Sequence, residues 1–134
     1  MAPDGKLTTA QFEIMQLIWD AELGLTVGEI WDAIRAKRDV SRTTVLNLVD
    51  RLEKRGWLAR RKVDGTFRYR ASVDRERTER KLAAEFVSEF FGGSPTSLFL
   101  SLLGSRSVSR QEIQRIRKLL NDDSESSRKK GDQS

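Results

Sequence analysis

Apolar residues and hydroxyl side chains recur together at four places along the chain, and each place predicts a helix start. A Ser or Thr that can cap a helix is preceded by one apolar residue and followed by another at the fourth helical position. At three of the starts, a Gln or Glu three residues after the cap can complete a capping box. The predicted N-caps are Thr8, Thr26, Ser41 and Ser109.

The first three starts open helices whose apolar residues repeat every three or four positions. We predict helices over about residues 9–20 and 27–37, and a third helix between Ser41 and Gly56. Gly56 is suited to the left-handed conformation that ends many helices. The third helix turns one apolar stripe inward, which leaves its opposite face for another role. That stripe consists of Val45, Leu48, Val49 and Leu52.

A β-hairpin is predicted directly after the third helix. The segments WLARRKV and TFRYRA flank Asp64-Gly65, a dipeptide that favours a two-residue hairpin turn. Because side chains alternate along a strand, Phe67 and Tyr69 share one face. Arg68 and Arg70 share the other. We expect the aromatic face to dock on the domain and the arginine face to turn outward. Three helices followed by such a ribbon predict a winged helix-turn-helix.

The distribution of charge favours a nucleic-acid partner. The net charge is −5 for residues 1–34, +9 for residues 35–81 and +1 for the remainder, which gives +5 for the 134-residue chain. Positive charge is therefore concentrated on the third helix and the hairpin, as expected of a surface that faces phosphate. The alternative is a basic face that is merely solvated. We favour double-stranded DNA as the partner.

The outward face of the third helix carries residue types that read bases. Side chains in the first turns of a recognition helix reach base edges, where Arg suits guanine, Asn suits adenine and methyl groups suit thymine. The alternative role for these side chains is helix capping and solubility. Thr44 is a borderline position because it lies at the edge of the apolar stripe. We expect Asp50 to pair with Lys54. The predicted base-contacting residues are Arg42, Thr43, Thr44, Leu46 and Asn47. The predicted phosphate-contacting residues are Arg51, Lys54, Arg60, Arg61, Lys62 and Arg68.

The composition argues against catalysis and against a metal site. The chain has no cysteine and no histidine, which removes disulfides, thiolate chemistry and the commonest general base and metal ligand. Its carboxylates are not combined with a nucleophile or with a glycine-rich phosphate loop. We predict no catalytic residue, no metal and no cofactor. Without an apolar run of bilayer length or a signal-peptide core, the predicted location is the cytoplasm, with no membrane insertion.

Beyond the hairpin, the chain predicts three further helices rich in apolar residues. The first starts near Asp74 and ends at the break Gly92-Gly93. The second is capped by Ser94 and opened by Pro95, and the third is the one capped by Ser109. So much apolar surface beyond a complete small domain predicts a homodimer. The alternative is that these helices fold back on the winged helix. The residues expected at the dimer interface are Leu82, Phe86, Phe90, Leu98, Leu102, Ile113, Ile116 and Leu120.

The expected fold class is mainly α with a small β-hairpin, a winged helix-turn-helix plus a C-terminal helical dimerisation domain. We place the DNA-binding domain at residues 1–73 and the dimerisation domain at residues 74–121. Residues 122–134 are polar and poor in aromatic side chains, which predicts a disordered tail.

Several segments resemble the penicillinase-repressor family of bacterial regulators, the BlaI/MecI group. The resemblance runs from about Leu7 to Leu120. It rests on the order and spacing of LTTAQFEIMQLIW, TVGEIWDAI, SRTTVLNLVDRLEKRGWLARRKVDGTFRYRA, GGSPTSLFLSLL and SRQEIQRIRKLL. It implies a homodimeric winged-helix repressor that binds palindromic operators and is inactivated by proteolysis, with a membrane sensor protease system as an expected partner. One branch of the family responds to copper through a cysteine-rich hook, and the absence of cysteine excludes that branch.

The same resemblance implies a cleavage position. Cleavage in the family falls in the helix after the double glycine, and on that pattern the matching bond joins Ser101 and Leu102. The family commonly has Asn and Phe at this bond. The alternative is that the SLFLSLL segment serves only as dimer core.

The sequence therefore predicts a sequence-specific transcriptional repressor that acts as a homodimer on a palindromic operator and is relieved by proteolysis in its C-terminal domain. A second class is a winged-helix protein-interaction module or a nonspecific nucleic-acid binder. A third class, a hydrolase, would have to use carboxylates alone.

Overall fold

The chain folds into six helices and one antiparallel hairpin, as seen in a computed structural model that describes residue 3 and residues 5–131. One compact unit ends at Lys81 and the other begins at Leu82. The predicted fold class, mainly α with a small hairpin, is confirmed. The elements are α1 (Thr9–Asp20), α2 (Val27–Arg35), α3 (Arg42–Lys54), β1 (Leu58–Val63), β2 (Thr66–Ala71), α4 (Arg75–Phe90), α5 (Pro95–Gly104) and α6 (Arg110–Gly131).

The predicted helix starts are confirmed by their hydrogen bonds. Thr8 and Thr26 each form a reciprocal capping box, and the Ser41 hydroxyl accepts a hydrogen bond from the Thr44 backbone N–H. Ser109 and Glu112 exchange two hydrogen bonds of 3.1 Å at the start of α6. The backbone N–H of Ser109, and then its hydroxyl, hold the pKa of the Glu112 carboxyl below its usual value.

The core of the first unit forms where α1, α2 and α3 meet β1 and the buried end of β2. On α3 the predicted stripe is largely confirmed: Val45, Val49 and Leu52 are fully buried, whereas Leu48 is half-buried. The remaining fully buried side chains come from α1 and α2. They are Ile14, Met15, Ile30 and Ile34.

Gly56 ends α3 and directs the chain into the hairpin of β1 and β2, which is the wing of this fold. Gly56 has φ +83°, its N–H donates to the Glu53 carbonyl, and the N–H of Trp57 donates to the Leu52 carbonyl. This pair of bonds is the Schellman arrangement, which favours glycine at the left-handed position. The hairpin that follows turns through Asp64-Gly65, where both residues have positive φ, as a tight I′-type turn requires.

The wing is attached to the domain at one end only. Leu25, in the loop before α2, exchanges two backbone hydrogen bonds with Tyr69, of 3.1 Å and 2.8 Å. Tyr69 is buried, but Phe67, nearer the turn, is 41% exposed. The expectation that both aromatic rings dock on the domain is therefore wrong for Phe67. The reason is that the two-stranded ribbon extends past the elements that could cover its tip.

The first turns of α4 belong to the first unit. The Trp19 indole N–H donates to the Val73 carbonyl at 3.1 Å, and Arg75 forms a 2.7 Å ion pair with Asp20. Thr78 is buried and donates its hydroxyl hydrogen bond to the Asp74 carbonyl. The hydrogen bond that the Arg75 guanidinium donates to the Asp20 carboxylate raises the pKa of Arg75. The boundary between the units consequently lies within α4 rather than at residues 73 and 74.

The second unit exposes much of its apolar surface. Among residues 82–123, the part of this unit whose side-chain burial is described, none is fully buried. Phe86 packs its ring 5.0 Å from that of Phe90 and 5.8 Å from that of Phe91, measured between centroids. The exposed large apolar residues of this unit are Phe86, Phe90, Phe99, Leu100, Leu103, Leu119 and Leu120.

The end of α6 corrects the expected tail. The helix continues to Gly131, so residues 122–131 are helical where disorder was expected, and residues 132–134 lie outside the described residues. Low hydrophobicity alone was a poor guide here. The segment has no proline and extends a helix that starts at Arg110, so each added residue gains a backbone hydrogen bond without a new nucleation step.

Candidate nucleic-acid interface

An open groove of about 470 Å³ lies between the recognition-helix candidate α3 and the wing. The first turns of α2 and α3 form one wall, and the two strands form the other. Helix N-termini carry partial positive charge and the strand wall carries Arg60, so both walls favour an anion. No acidic residue is among the described residues that line the groove. These are Thr26, Val27, Gly28, Arg42, Thr43, Leu46, Arg60, Thr66, Phe67 and Tyr69.

The predicted base-contacting residues fall into two groups. All five are exposed on α3, and Arg42, Thr43 and Leu46 line the groove, with Leu46 47% exposed. Asn47 lies one residue further along, outside the groove lining. Thr44 has a local role as well, because its hydroxyl lies 2.8 Å from that of the N-cap Ser41. The structure thus brings three of the five together and ties Thr44 to the cap.

The predicted phosphate-contacting residues on α3 differ in their partners. Lys54 forms the expected ion pair with Asp50, with Nζ and Oδ2 2.9 Å apart. Arg51 is exposed, and within the described part of the chain it has no ion-pair partner. The same holds for Arg42 and, on β1, for Arg61. These three arginines are available to an external anion.

The cations of the wing surround the exposed ring of Phe67. The strand register pairs Arg60 with Tyr69 and Lys62 with Phe67, which puts all four side chains on one face of the ribbon. The Arg60 guanidinium carbon lies 4.3 Å from the centroid of the Phe67 ring, and the Lys62 ammonium lies 5.9 Å from it. Both distances are typical of cation–π contacts.

Arg68 departs from the sequence prediction. Its guanidinium forms a 3.3 Å ion pair with Glu29 and a 3.3 Å hydrogen bond to the Gly24 carbonyl. The arginine therefore reaches back to the start of α2 instead of turning freely outward. Alternation along β2 predicted the face of the ribbon on which Arg68 lies. It could not indicate that the loop before α2 would run beside that face.

Sequence reasoning missed Phe67 as part of this surface. Aromatic residues in alternating strands usually indicate core, and Phe67 was assigned to the docked face. The available signal was its position close to the tip of the hairpin, two residues after the Asp64-Gly65 turn, opposite Lys62, two residues before the turn. Phe67 faces Lys62, a residue that is rarely buried.

Two features of the described residues bear on membrane insertion and on metal binding. Along the described helices, none is both long and apolar enough to cross a membrane. The residues that the structure describes contain no group of three or more His, Cys, Asp or Glu side chains that could hold a metal ion.

The helices, hairpin and basic groove define a winged helix-turn-helix protein. The penicillinase repressor family model matches residues 7–122. The chain is 28% identical to the methicillin resistance regulatory protein MecI of Mammaliicoccus sciuri over 116 residues, 87% of this chain and 94% of that protein. It is 27% identical to the penicillinase repressor of Staphylococcus aureus, over 87% of this chain and 92% of that protein.

A solved structure is also similar. The solution structure of monomeric Bacillus licheniformis BlaI in complex with the blaP half-operator has a TM-score of 0.48 and 24% identity, and it covers 54% of this chain and 87% of that chain. The family match extends over most of the sequence. The chain therefore belongs to the penicillinase repressor family, a family of DNA-binding transcriptional repressors rather than of enzymes.

Proposed function

We propose that this repressor acts as a homodimer on a palindromic operator, with one α3 and one wing on each half-site. The observation that carries the proposal is the groove in which Arg42, Thr43 and Leu46 of α3 face Arg60 of the wing. A surface that combines base-reading side chains with phosphate-binding cations matches a recognition helix and its wing.

The first turns of α3 read the bases in this proposal. Arg42 suits the acceptor edge of guanine, and Asn47 suits the donor and acceptor edge of adenine. Thr43 and Leu46 can pack methyl groups against thymine. Thr44 contributes less because its hydroxyl already contacts the N-cap Ser41.

Phosphate contacts surround this reading face. Arg51 and Arg61 have no ion-pair partner among the described residues and are ready for phosphate. The other four cations, Lys54, Arg60, Lys62 and Arg68, each contact a partner within the protein. Each must exchange that partner for a phosphate, or keep it and contribute less to DNA binding. The full set is Arg51, Lys54, Arg60, Arg61, Lys62 and Arg68.

The second unit supplies the dimer interface in this proposal. Phe90 is 68% exposed and Leu120 is 62% exposed. Exposed apolar residues on three successive helices are typical of a surface that a second copy covers, since a homodimer repeats one self-complementary patch. The interface residues proposed are Leu82, Phe86, Phe90, Leu98, Leu102, Ile113, Ile116 and Leu120.

Proteolysis at the Ser101–Leu102 bond is the proposed release step. The bond lies inside α5, where the Ser101 carbonyl accepts a hydrogen bond from the Ser105 N–H and the Leu102 carbonyl accepts one from the Ser105 hydroxyl. A protease binds its substrate in an extended form, so α5 must open locally before cleavage. The competing interpretation is that this segment is dimer core alone.

The experiment that tests the reading function replaces Thr43 or Asn47 by Ala. Each variant is expected to lose about 5- to 150-fold in preference for the operator over random duplex, the size of one good base contact. Binding to random duplex is retained because the phosphate contacts remain. Competition binding measures the ratio, and Gln16→Ala, an exposed change on α1 outside the groove, is the matched control. Unchanged preference in both variants would favour a nonspecific binder or a protein-interaction module.

The wing is expected to act through charge. Replacing Arg60, Arg61 and Arg68 together by Ala weakens binding to every sequence and flattens the salt dependence, by up to about 0.9 per lost phosphate contact. Titrations at several salt concentrations measure the slope. Replacing Arg77, Arg80 and Lys81 on α4 removes the same charge outside the groove and is the control. Equal slopes for the wing variant and the wild type would place the wing away from DNA.

A further inference from the structure

Arg60 is held between two residues that come from different elements. Its Nε lies 3.3 Å from the Glu53 Oε2 on α3, and its guanidinium carbon lies 4.3 Å above the Phe67 ring on β2. The Arg60 side chain stays 49% exposed and lines the groove, so an external anion can reach it.

Glu53 is a well-shielded anion on the edge of a phosphate-facing surface. Its side chain is 24% exposed, whereas Asp50, which pairs with Lys54 on the same helix, is 49% exposed. A carboxylate in this position neutralises Arg60 in the free protein and repels an approaching phosphate. It therefore opposes the contact that Arg60 would make with DNA.

We propose that Arg60 exchanges partners when DNA binds, an inference that rests on the proposed function. In the free protein it pairs with Glu53, and in the complex it pairs with a backbone phosphate. Phe67 is the positioning residue that keeps the guanidinium over the groove in both states. Glu53 thus limits the affinity for DNA, and Phe67 raises it.

The two residues differ in the sign of their expected effects. Glu53→Gln keeps the size of the side chain but removes the competing charge, so affinity rises about two- to fivefold, the range of an exposed ion pair. This gain is largest at low salt because the pair is screened. Phe67→Leu removes the cation–π platform but no charge, so affinity falls about two- to fivefold. The salt slope stays as in the wild type, since the number of cations is unchanged.

The test measures binding of the full chain to a fluorescent duplex by anisotropy, across a range of salt concentrations. The variants are Glu53→Gln, Arg60→Ala, the double variant, Phe67→Leu and Phe67→Tyr. Glu76→Gln is the control, because Glu76 pairs with Arg80 on α4, outside the groove. We expect the gain from Glu53→Gln to vanish in the Arg60→Ala background, Phe67→Tyr to bind like the wild type, and Glu76→Gln to change nothing.

Several results would overturn the exchange. They are a Glu53→Gln protein that binds no tighter than the wild type, a gain that persists without Arg60, or an equal gain from Glu76→Gln. A Phe67→Leu loss that Phe67→Tyr shares, or that comes with a lower melting temperature, removes the positioning role. If Arg60→Ala weakens binding while Glu53→Gln has no effect, only the exchange fails. If the wild type itself does not bind duplex DNA, the proposed function fails.

Discussion

A chain that ends at Ser101 is expected to lose dimerisation and to bind a palindromic operator about 100- to 10,000-fold more weakly than the full chain. The cut removes Leu102, Leu103 and the whole of α6, with its apolar positions Ile113 and Ile116. The buried core of the first unit lies entirely before Lys81, so the DNA-binding surface stays folded. Each monomer then holds one half-site, and the advantage of linking two binding events is lost.

Analytical ultracentrifugation and operator titration of the truncated chain measure the two losses together. A chain that ends at residue 123 keeps every proposed interface residue and is the matched control, expected to dimerise and bind like the full chain. If the chain ending at Ser101 still dimerises and binds as tightly, cleavage at this bond is not the switch, whatever protease is present.

Insertion of about half a helical turn, roughly 5 base pairs, between the operator half-sites is expected to weaken binding nearly as much as loss of the dimer. The insertion rotates the second half-site to the opposite side of the duplex. The second α3 and its wing then cannot reach their bases while the dimer interface stays closed.

The matched control is an insertion of one full turn, about 10 base pairs, which restores the rotational alignment of the half-sites. We expect it to bind more tightly than the half-turn operator when both are measured by mobility shift at the same salt concentration. Equal affinity for the original and the half-turn operators would rule out a rigid dimer with two fixed reading heads.

The features that the sequence predicted well are those encoded by neighbouring residues. The cap at Thr8 depends on Gln11 three residues away, and the buried stripe of α3 depends on a three- and four-residue repeat. The turn at Asp64-Gly65 is also local, because two positive φ values are needed there. Such signals are complete within a few residues, so no knowledge of the tertiary structure is needed.

The features that were missed depend on how separate elements of the fold meet. Whether Phe67 is buried depends on how far the ribbon extends beyond the domain, and the direction of Arg68 depends on the Gly24 carbonyl, 44 residues away. The ion pair between Arg60 and Glu53 likewise joins two elements whose side chains meet only after folding. Helical spacing therefore predicted the pair of Asp50 with Lys54, whereas the pair of Arg60 with Glu53, which joins two elements, was not predictable from the sequence.

Selection of DNA from a random duplex pool by the full chain tests the central claim most directly. We predict one enriched motif with two-fold symmetry, whose half-site centres lie about 10 base pairs or a multiple of 10 apart. The Asn47→Ala protein, passed through the same selection, is expected to lose the preference at one position in each half-site and to keep the symmetry and the spacing. Enrichment of a single half-site, or of no motif at all, would contradict a homodimer that reads DNA through the first turns of α3.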